Sequence, residues 1–420
     1  MILTADPSLC RAGPTLLGGS PLRLLRLTGE GMRLLDGWLA GAPVGDDPRA
    51  VRLARRLLDA GLVHPVGTAA GRYGAADVTV VVPVRDDPAG VATVLAATGD
   101  VTSRIVVDDG SPTPLPGATL RHATSLGPAA ARNTGWRHAT TDLIAFLDAD
   151  VTPEPGWLDT ILPLFDDPAV AAVAPRVRSI PGRGVLSRYE ADRGALDLGP
   201  DPAEVRPLSR VSYVPSAALV LRRDVLSAVG GFDEEMRFGE DVDLVWRIVD
   251  TGGVVRYQPS ATVWHRPRPT VRAWARQRYH YGTSAASLAN RHPRRVTPAR
   301  FSPRATTASP QLVRTLRANG FATAPAVAVA ARRQFGVATM LAEAIRRTWW
   351  PLALLTRRGR KILLAALFPC LLDALRTRRG PRWLALRIAD DVSYSAGVWV
   401  GSLRRRTPRP LLPQLARNDQ

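Results

Sequence analysis

The chain has 420 residues, of which 45% are hydrophobic, and a formal net charge of +19. That length exceeds one ordinary core and predicts two or three domains, and the apolar content excludes a disordered chain. Arginine supplies nearly all of the basic excess, Lys361 being the only lysine, and such a charge attracts phosphates or anionic lipid. Cys10 and Cys370 sit at opposite ends of the chain, which excludes a disulfide framework or zinc-site spacing and fits a reducing compartment. Met1 to Gly13 lacks a basic start and an apolar core, so no signal peptide is expected.

In chain order, residues 15 to 66 read as a small unit within a module and linker spanning 1–74. Leu22 to Leu27 is a strand. Thr28-Gly29-Glu30-Gly31 caps a helix over Met32 to Leu39, and a second amphipathic helix runs from Ala50 to Ala60, ended by Gly61. A strand-helix-helix unit with the rhythm L-T-x-E-G…L-L-D-G-W-L…L-L-D-A-G-L looks like a winged-helix module. It resembles the PqqD-like domains that bind leader peptides of ribosomally made peptides; a docking subdomain without a ligand fits the same residues. Pro65 to Ala76 reads as a Gly-rich linker.

Between 75 and 267 the pattern changes. Strands are expected at Val78 to Val82, Ile105 to Val107, Leu143 onward, Val170 to Ala174 and Ala217 to Leu221. Helices are expected at Pro128 to His138, Trp157 to Phe165, Arg223 to Val229 and Glu240 to Asp250. This alternation implies an α/β fold with a mostly parallel sheet. From 268 to 420 the chain is Arg-rich with broken apolar runs. The longest, Ile362 to Leu372, contains Pro369 and falls short of the roughly twenty residues that a membrane span needs. Arg357, Arg358, Arg360 and Lys361 precede it, and Arg376, Arg378 and Arg379 follow. Amphipathic helices on an anionic membrane surface, a short buried helix, and a hairpin dipping into the bilayer all suit this pattern.

Four separated pieces carry chemistry. Pro83, Val84 and Arg85 close the strand that begins at Val78, offering a backbone edge to a nucleotide base. Asp108 and Asp109 tip the neighbouring strand, where carboxylates can accept hydrogen bonds from a uracil N–H and ribose hydroxyls. Asp148-Ala149-Asp150 ends the apolar run Leu143 to Leu147, where two carboxylates can share a divalent cation with a diphosphate. The same residues also suit a strand end, with Asp150 or Thr152 capping a helix from Pro153. Glu240, Asp241 and Asp243 open a helix, a position that the macrodipole favours for carboxylates; one of them could instead take a proton from an acceptor hydroxyl.

The order V-V-V-P-V-R, V-D-D-G-S, G-P-A-A-A-R-N, L-D-A-D, V-G-G-F-D-E and G-E-D-V-D-L-V-W-R, from Val78 to His265, resembles family-2 glycosyltransferases of the GT-A fold. The resemblance implies an inverting, metal-dependent transfer of a sugar from a nucleotide-sugar donor. It implies that Asp108 and Asp109 contact the nucleotide, that Arg132 and Asn133 line the donor pocket, and that Asp148 lies against the diphosphate. Asp150 with His265 would hold Mg²⁺ or Mn²⁺. Asp241 would be the catalytic base, with Glu240 orienting the acceptor. Trp274, Arg278 and Tyr281 resemble the family's acceptor side, with an aromatic face for a sugar and a guanidinium for the leaving diphosphate. An amphipathic surface helix suits the same three residues.

The whole layout is also similar to the mycofactocin-system glycosyltransferases of actinobacteria. That narrower resemblance implies UDP-glucose as donor and a small peptide-derived acceptor, a mycofactocin precursor, on which an oligosaccharide of hexoses is built. It also implies a peptide contact through residues 15 to 66. A lipid or cell-wall acceptor, and a non-catalytic peptide-binding scaffold, are the competing readings. No aromatic-basic motif for RNA is visible, so nucleic acid is not expected. The expected location is cytoplasmic, at the inner face of the cell membrane.

Overall fold

The computed structural model describes residues 1–67, 71–301 and 309–415, so part of the expected linker, residues 68–70, lies outside the described residues. The chain divides into two units: one comprises Met1–Ile180 with Arg193–Arg266, the other Pro181–Asp192 with Pro267–Gln420. The segment 181–192, inside the boundaries expected for the core, therefore packs with the C-terminal helices.

In the first unit the N-terminal strands are β1 (Ile2–Ala5), β2 (Cys10–Ala12), β3 (Thr15–Gly18) and β4 (Arg23–Arg26). Helices α1 (Gly29–Leu39) and α2 (Pro48–Asp59) follow, then β5 (Val63–Val66). Thr28 Oγ1 caps α1 through the Gly31 N–H, and Asp47 caps α2 through the Ala50 N–H. Strands β2, β3 and β4 form an antiparallel sheet, and β1 pairs with β5, with Leu3 opposite Pro65. Pro65 thus belongs to a strand and the linker starts later than its composition suggests. The strand-helix-helix core of the reading is present, but two small sheets flank it, and a winged helix is not what these elements establish. Leu16, Leu35, Trp38, Leu57, Leu58 and Leu62 fill this module's own core. Beneath it Asp6 and His64 form a buried pair at 2.7 Å.

The central sheet contains β6 (Val78–Val84), β7 (Ser103–Asp108), β8 (Leu120–Arg121), β9 (Leu143–Leu147), β10 (Val151–Pro153), β11 (Val170–Ser179), β12 (Ala203–Glu204), β13 (Ala218–Arg222) and β14 (Val254–His265). Their order is β10-β14-β11-β13-β9-β6-β7-β8, with β12 against β14. Pairing is parallel at β7–β8, β6–β7, β6–β9 and β11–β14, and antiparallel at β9–β13, β11–β13, β10–β14 and β12–β14. The sheet is therefore mixed rather than mostly parallel. Strand β13 enters from an irregular stretch, with no helical crossover to impose a parallel direction. Strand β6 continues through Pro83 because its pairing with β9 ends at Val81, so no sheet neighbour on that side needs the missing N–H.

Every residue of β6 and β9 is buried, as a doubly covered strand requires. Helices α3 (Pro88–Ala97), α4 (Pro128–His138), α5 (Trp157–Ile161), α6 (Val185–Arg193), α7 (Arg223–Ala228) and α8 (Glu240–Asp250) follow in chain order. Helix α5 gives way to a 3₁₀ turn over Leu162–Asp166, where Pro163 falls. Gly135 lets α4 lie directly on the sheet, since a Cβ there would meet Val81 Cγ1 at 2.3 Å.

In the second unit α9 (Val271–Arg291) is followed by α10 (Ser309–Ala318), α11 (Thr323–Ala344), α12 (Trp350–Ala353), α13 (Arg357–Ala366), α14 (Phe368–Arg376) and α15 (Pro381–Arg404). Helices α9 and α15 touch backbone to backbone at Gly282 and Gly397, where added Cβ atoms would meet Tyr394 O at 2.1 Å and Tyr279 O at 2.0 Å. Among the described residues no helix is long and apolar enough to cross a membrane.

Candidate active site

The site is built at the C-terminal ends of β6, β7 and β9 and at the first turns of α4 and α8. Arg132, in α4, reaches out of the helix with its side chain only 4% exposed. One guanidinium nitrogen donates to Asp148 Oδ1 at 2.6 Å and the other to Glu240 Oε1 at 3.0 Å. The Phe232 ring lies under the guanidinium, 5.4 Å from its carbon, and Phe146 meets that ring edge-on. A single buried cation thus ties the tip of β9 to the N-terminus of α8.

Around Arg132 the carboxylates outnumber the cation. Burial raises the Asp148 pKa, and the neighbouring charge of Asp150 adds to it. Burial also pushes Glu240 up to about 7, with the adjacent Asp241 contributing, against the pull of Arg132. Asp241 is raised too, chiefly by burial, although the Val242 N–H donates to its Oδ1 at 2.8 Å. Arg132, in spite of its burial, is held above the usual guanidinium value by Asp148 and Glu240.

Beside this group, β10 pairs with β14 so that Val151 faces His265 across the sheet. Asp150 Oδ2 then stands 3.5 Å from His265 Nε2, with the imidazole buried. The Arg266 N–H donates to Asp150 O at 2.8 Å, and the Arg266 side chain pairs with Asp87, the residue that caps α3. Asp150 and His265 make an oxygen–nitrogen donor pair that a divalent cation such as Mn²⁺ could take when substrate oxygens and water complete the shell. Among the described residues no set of three or more acidic, His or Cys side chains closes around one point.

Other predicted residues lie at the same strand ends but are occupied by the protein itself. Asp109 is buried and takes hydrogen bonds from His122 Nδ1 (2.8 Å), Ser125 Oγ (2.7 Å), and the Leu126 and Gly127 N–H groups (2.9 Å each). Asp108 holds the Ser111 N–H at 2.9 Å and Arg121 at 3.0 Å. These donors hold both carboxyls below the usual carboxylate range in spite of burial. Both carboxylates are engaged by the loop after β7 and by the start of α4. Asn133 likewise faces inward: it donates to Phe232 O and Glu234 Oε1 and accepts from the Phe232 N–H and Trp136 Nε1. It fixes the Gly231–Glu234 loop. Pro83 and Val84 are buried at the end of β6, while Arg85 is exposed next to Asp86.

The predicted acceptor-side residues fall in the second unit. Trp274 is fully buried and donates to Glu190 Oε1 at 2.8 Å. Arg278 is buried against the same Glu190. Neither side chain presents a face to a sugar or a diphosphate; both hold α9 to α6. Tyr281 is half-buried, its hydroxyl accepting from Gln277 Nε2 at 3.0 Å.

Two braces escaped the sequence reading. Arg247 pairs with Asp243 one helical turn away (2.8 Å) and donates to Val229 O (2.5 Å) and Gly231 O (2.7 Å), clamping the Gly-Gly turn onto α8. The i, i+4 spacing of Asp243 and Arg247 was its visible signal. His122, between Asp109 and Thr134 Oγ1 (2.9 Å), had none, because its partners come from separate elements.

The family model for Glycosyl transferase family 2 matches residues 79–229. Over 452 aligned residues the chain is 42% identical to the pre-mycofactocin glycosyltransferases of two Mycobacterium tuberculosis strains (CDC 1551 / Oshkosh and ATCC 25618 / H37Rv), covering 96% of this chain and 95% of each relative. It is 27% identical over 154 residues to the probable glycosyltransferase YdaM of Bacillus subtilis strain 168, covering 36% of each chain. Among solved structures, the mannosyltransferase PcManGT from Pyrobaculum calidifontis, in complex with GDP-Man and Mn²⁺, is 20% identical with a TM-score of 0.47, covering 82% of this chain and 92% of that one. The chain belongs to glycosyltransferase family 2, with the GT-A type of core. Within that family its likeness along nearly the whole length is to the mycofactocin-system enzymes, and it is a glycosyltransferase.

Proposed function

We propose that the protein transfers a hexose, glucose from UDP-glucose, to a hydroxyl of a mycofactocin precursor with inversion at the anomeric carbon, and that repeated transfer builds an oligosaccharide. The observation that carries this reading is the convergence of Arg132, Asp148, Glu240 and Asp241 beside the Asp150–His265 pair. The acceptor assignment draws on the near full-length likeness to the pre-mycofactocin glycosyltransferases.

Asp241 is the general base. Its support is position and proton affinity: it opens α8 beside the Arg132 cluster, and burial raises its pKa toward working pH. Glu240 stays tied to Arg132 and sets the angle at which Asp241 enters the cleft. Arg132 holds Asp148 and Glu240 in register before substrate arrives, so that little reorganisation is needed during displacement. One attack by the acceptor hydroxyl on the face opposite the leaving diphosphate needs no enzyme nucleophile, unlike the paired-carboxylate retaining route.

The metal would be held by Asp150 and His265, with Asp148 close by. The fit is supported by the excess of carboxylates over the single cation: Asp148, Glu240 and Asp241 all gather around Arg132. A divalent cation there would supply Lewis-acid neutralisation of charge on the departing nucleoside diphosphate.

The N-terminal module is proposed to contact the peptide-derived part of the acceptor. Strand β4 lies at the end of its sheet and exposes Leu24, with the exposed Leu22 just before it.

The test is mass spectrometry of purified protein with UDP-glucose, a divalent cation, and either a mycofactocin precursor or a lipid phosphate. Hexose increments on the precursor are expected; increments on the lipid phosphate alone would move the acceptor assignment to lipid. Asp241→Asn should abolish transfer while UDP-glucose still binds, and unchanged turnover would remove Asp241 from the mechanism.

A further inference from the structure

The second unit carries an apolar surface that no reading of the catalytic site uses. Of the large hydrophobic side chains exposed on the chain, eight fall between residues 352 and 375: Leu352, Leu354, Leu355, Ile362, Leu364, Phe368, Leu371 and Leu375. They are not scattered. Leu364, Phe368, Leu371 and Leu375 follow one another at spacings of four, three and four residues, so they line one stripe along the end of α13 and the length of α14. The opposite face of α14 turns the small Cys370 and Ala374 inward. The helix therefore points its large apolar groups outward and its small ones to the core, the reverse of an ordinary surface helix. Leu364 is 68% exposed, Leu375 65% and Leu355 76%.

Charge collects at both ends of this stripe. Arg357, Arg358, Arg360 and Lys361 are exposed at the start of α13, and Arg376 and Arg378 are exposed at the end of α14. Asp373 is the one acidic residue between positions 350 and 379. A helix of this length, about 15 Å at 1.5 Å per residue, is half of a bilayer's hydrocarbon thickness and cannot cross it. An apolar ridge framed by cations matches acyl chains bordered by anionic headgroups.

We infer that α12, α13 and α14 form a docking face for an anionic lipid bilayer, lying in the plane of the headgroups with Leu364, Phe368, Leu371 and Leu375 inserted. The basic excess supplies long-range attraction and the leucines supply the salt-resistant part of the binding. The inference is independent of the donor, the acceptor and the chemistry of the cleft.

The experiment is co-sedimentation of the full chain with vesicles of phosphatidylcholine alone or of phosphatidylcholine and phosphatidylglycerol in equal parts. Binding to the anionic vesicles is expected, with partition falling as salt rises. Phe368→Ser/Leu371→Ser/Leu375→Ser should lower that partition on the order of a hundredfold. Because these side chains are exposed, helicity by circular dichroism and hexose transfer to a soluble acceptor should be retained, which separates lost docking from lost folding. Arg357→Gln/Arg358→Gln/Arg360→Gln, outside the apolar stripe, should reduce the salt dependence, since Lys361, Arg376 and Arg378 remain. Sedimentation velocity without lipid reads the alternative occupant, a second copy of the chain. Absence of binding to anionic vesicles, equal binding by the triple-serine variant, or a tight dimer that the serine variant dissolves would each overturn the inference.

Discussion

Arg132→Met is the most informative single change. The substitution keeps a long side chain over the Phe232 ring but removes the donors to Asp148 at 2.6 Å and Glu240 at 3.0 Å. Removing one partner of a buried pair costs about 3–5 kcal/mol where the remaining group stays charged, so the change is read well above the Glu240 pKa of about 7, where that carboxylate is ionised. The Arg132 and Glu240 side chains are 4% and 10% exposed, which places their contact in that class; the Asp148 side chain, at 31%, is reached by water and adds little. The expected loss is therefore about 3 kcal/mol, the low end of that range, read as a shift of the denaturant midpoint. Adding Glu240→Gln to Arg132→Met removes the orphaned charge and should recover about 1–2 kcal/mol, a coupling that a double-mutant cycle reports directly. Transfer should fall on the order of a hundredfold or more in both variants, since the strand tip and the helix start are no longer held together. A stability loss below about 0.5 kcal/mol for Arg132→Met, the range of a neutral surface change, would refute the clamp.

Further outcomes follow from the same geometry. Glu240, with its folded pKa pushed up to about 7 from an ordinary 4.5, binds a proton more tightly in the fold than out of it. Its contribution is therefore complete below pH 4.5 and is lost as pH rises through about 7; Glu240→Gln should flatten the stability profile across that window, and an unchanged slope would place the proton elsewhere. Gly231→Ala should destabilise by about 2 kcal/mol, since φ there is +71° and the new Cβ would meet Asn133 Oδ1 at 2.5 Å. Gly230→Ala, with φ +80° and open space, should cost only the backbone share, about 1 kcal/mol; equal losses would show that Asn133 gives way. Chelation of divalent cations should stop transfer without changing thermal unfolding, because Asp150 and His265 form an open pair that the fold does not need filled; transfer persisting in chelator would refute the metal assignment.

Much of the first unit can be read from the sequence because its signals are local. The apolar run at Leu143 ending in Asp148-Ala149-Asp150 announces a buried strand and its tip, and Thr28 announces its helix as a cap. The direction of β13 is not local: nothing in Ala217 to Leu221 says that it runs antiparallel between β9 and β11. Side-chain fate is equally non-local. Asp109 looks like a free strand-end carboxylate until the fold returns His122, Ser125 and the Gly127 N–H to it. Trp274 and Arg278 suggest an exposed binding helix, because their partner Glu190 lies 84 and 88 residues earlier. Residue type reports what a side chain can do, while burial decides whether a substrate can reach it.

The path of the backbone has a practical consequence. It leaves the first unit after Ile180, returns at Arg193 and leaves again after Arg266. The excursion Pro181–Asp192 carries Tyr189 and Glu190, whose hydrogen-bond partners Asp390 and Trp274 arrive only after Arg266. Cutting at position 266 would strand a tyrosine and a carboxylate, both evolved for a dry interior, in bulk water. Shortened versions meant to yield a minimal transferase should therefore remove or replace that excursion along with the tail, or they will carry a sticky loop in place of a helix.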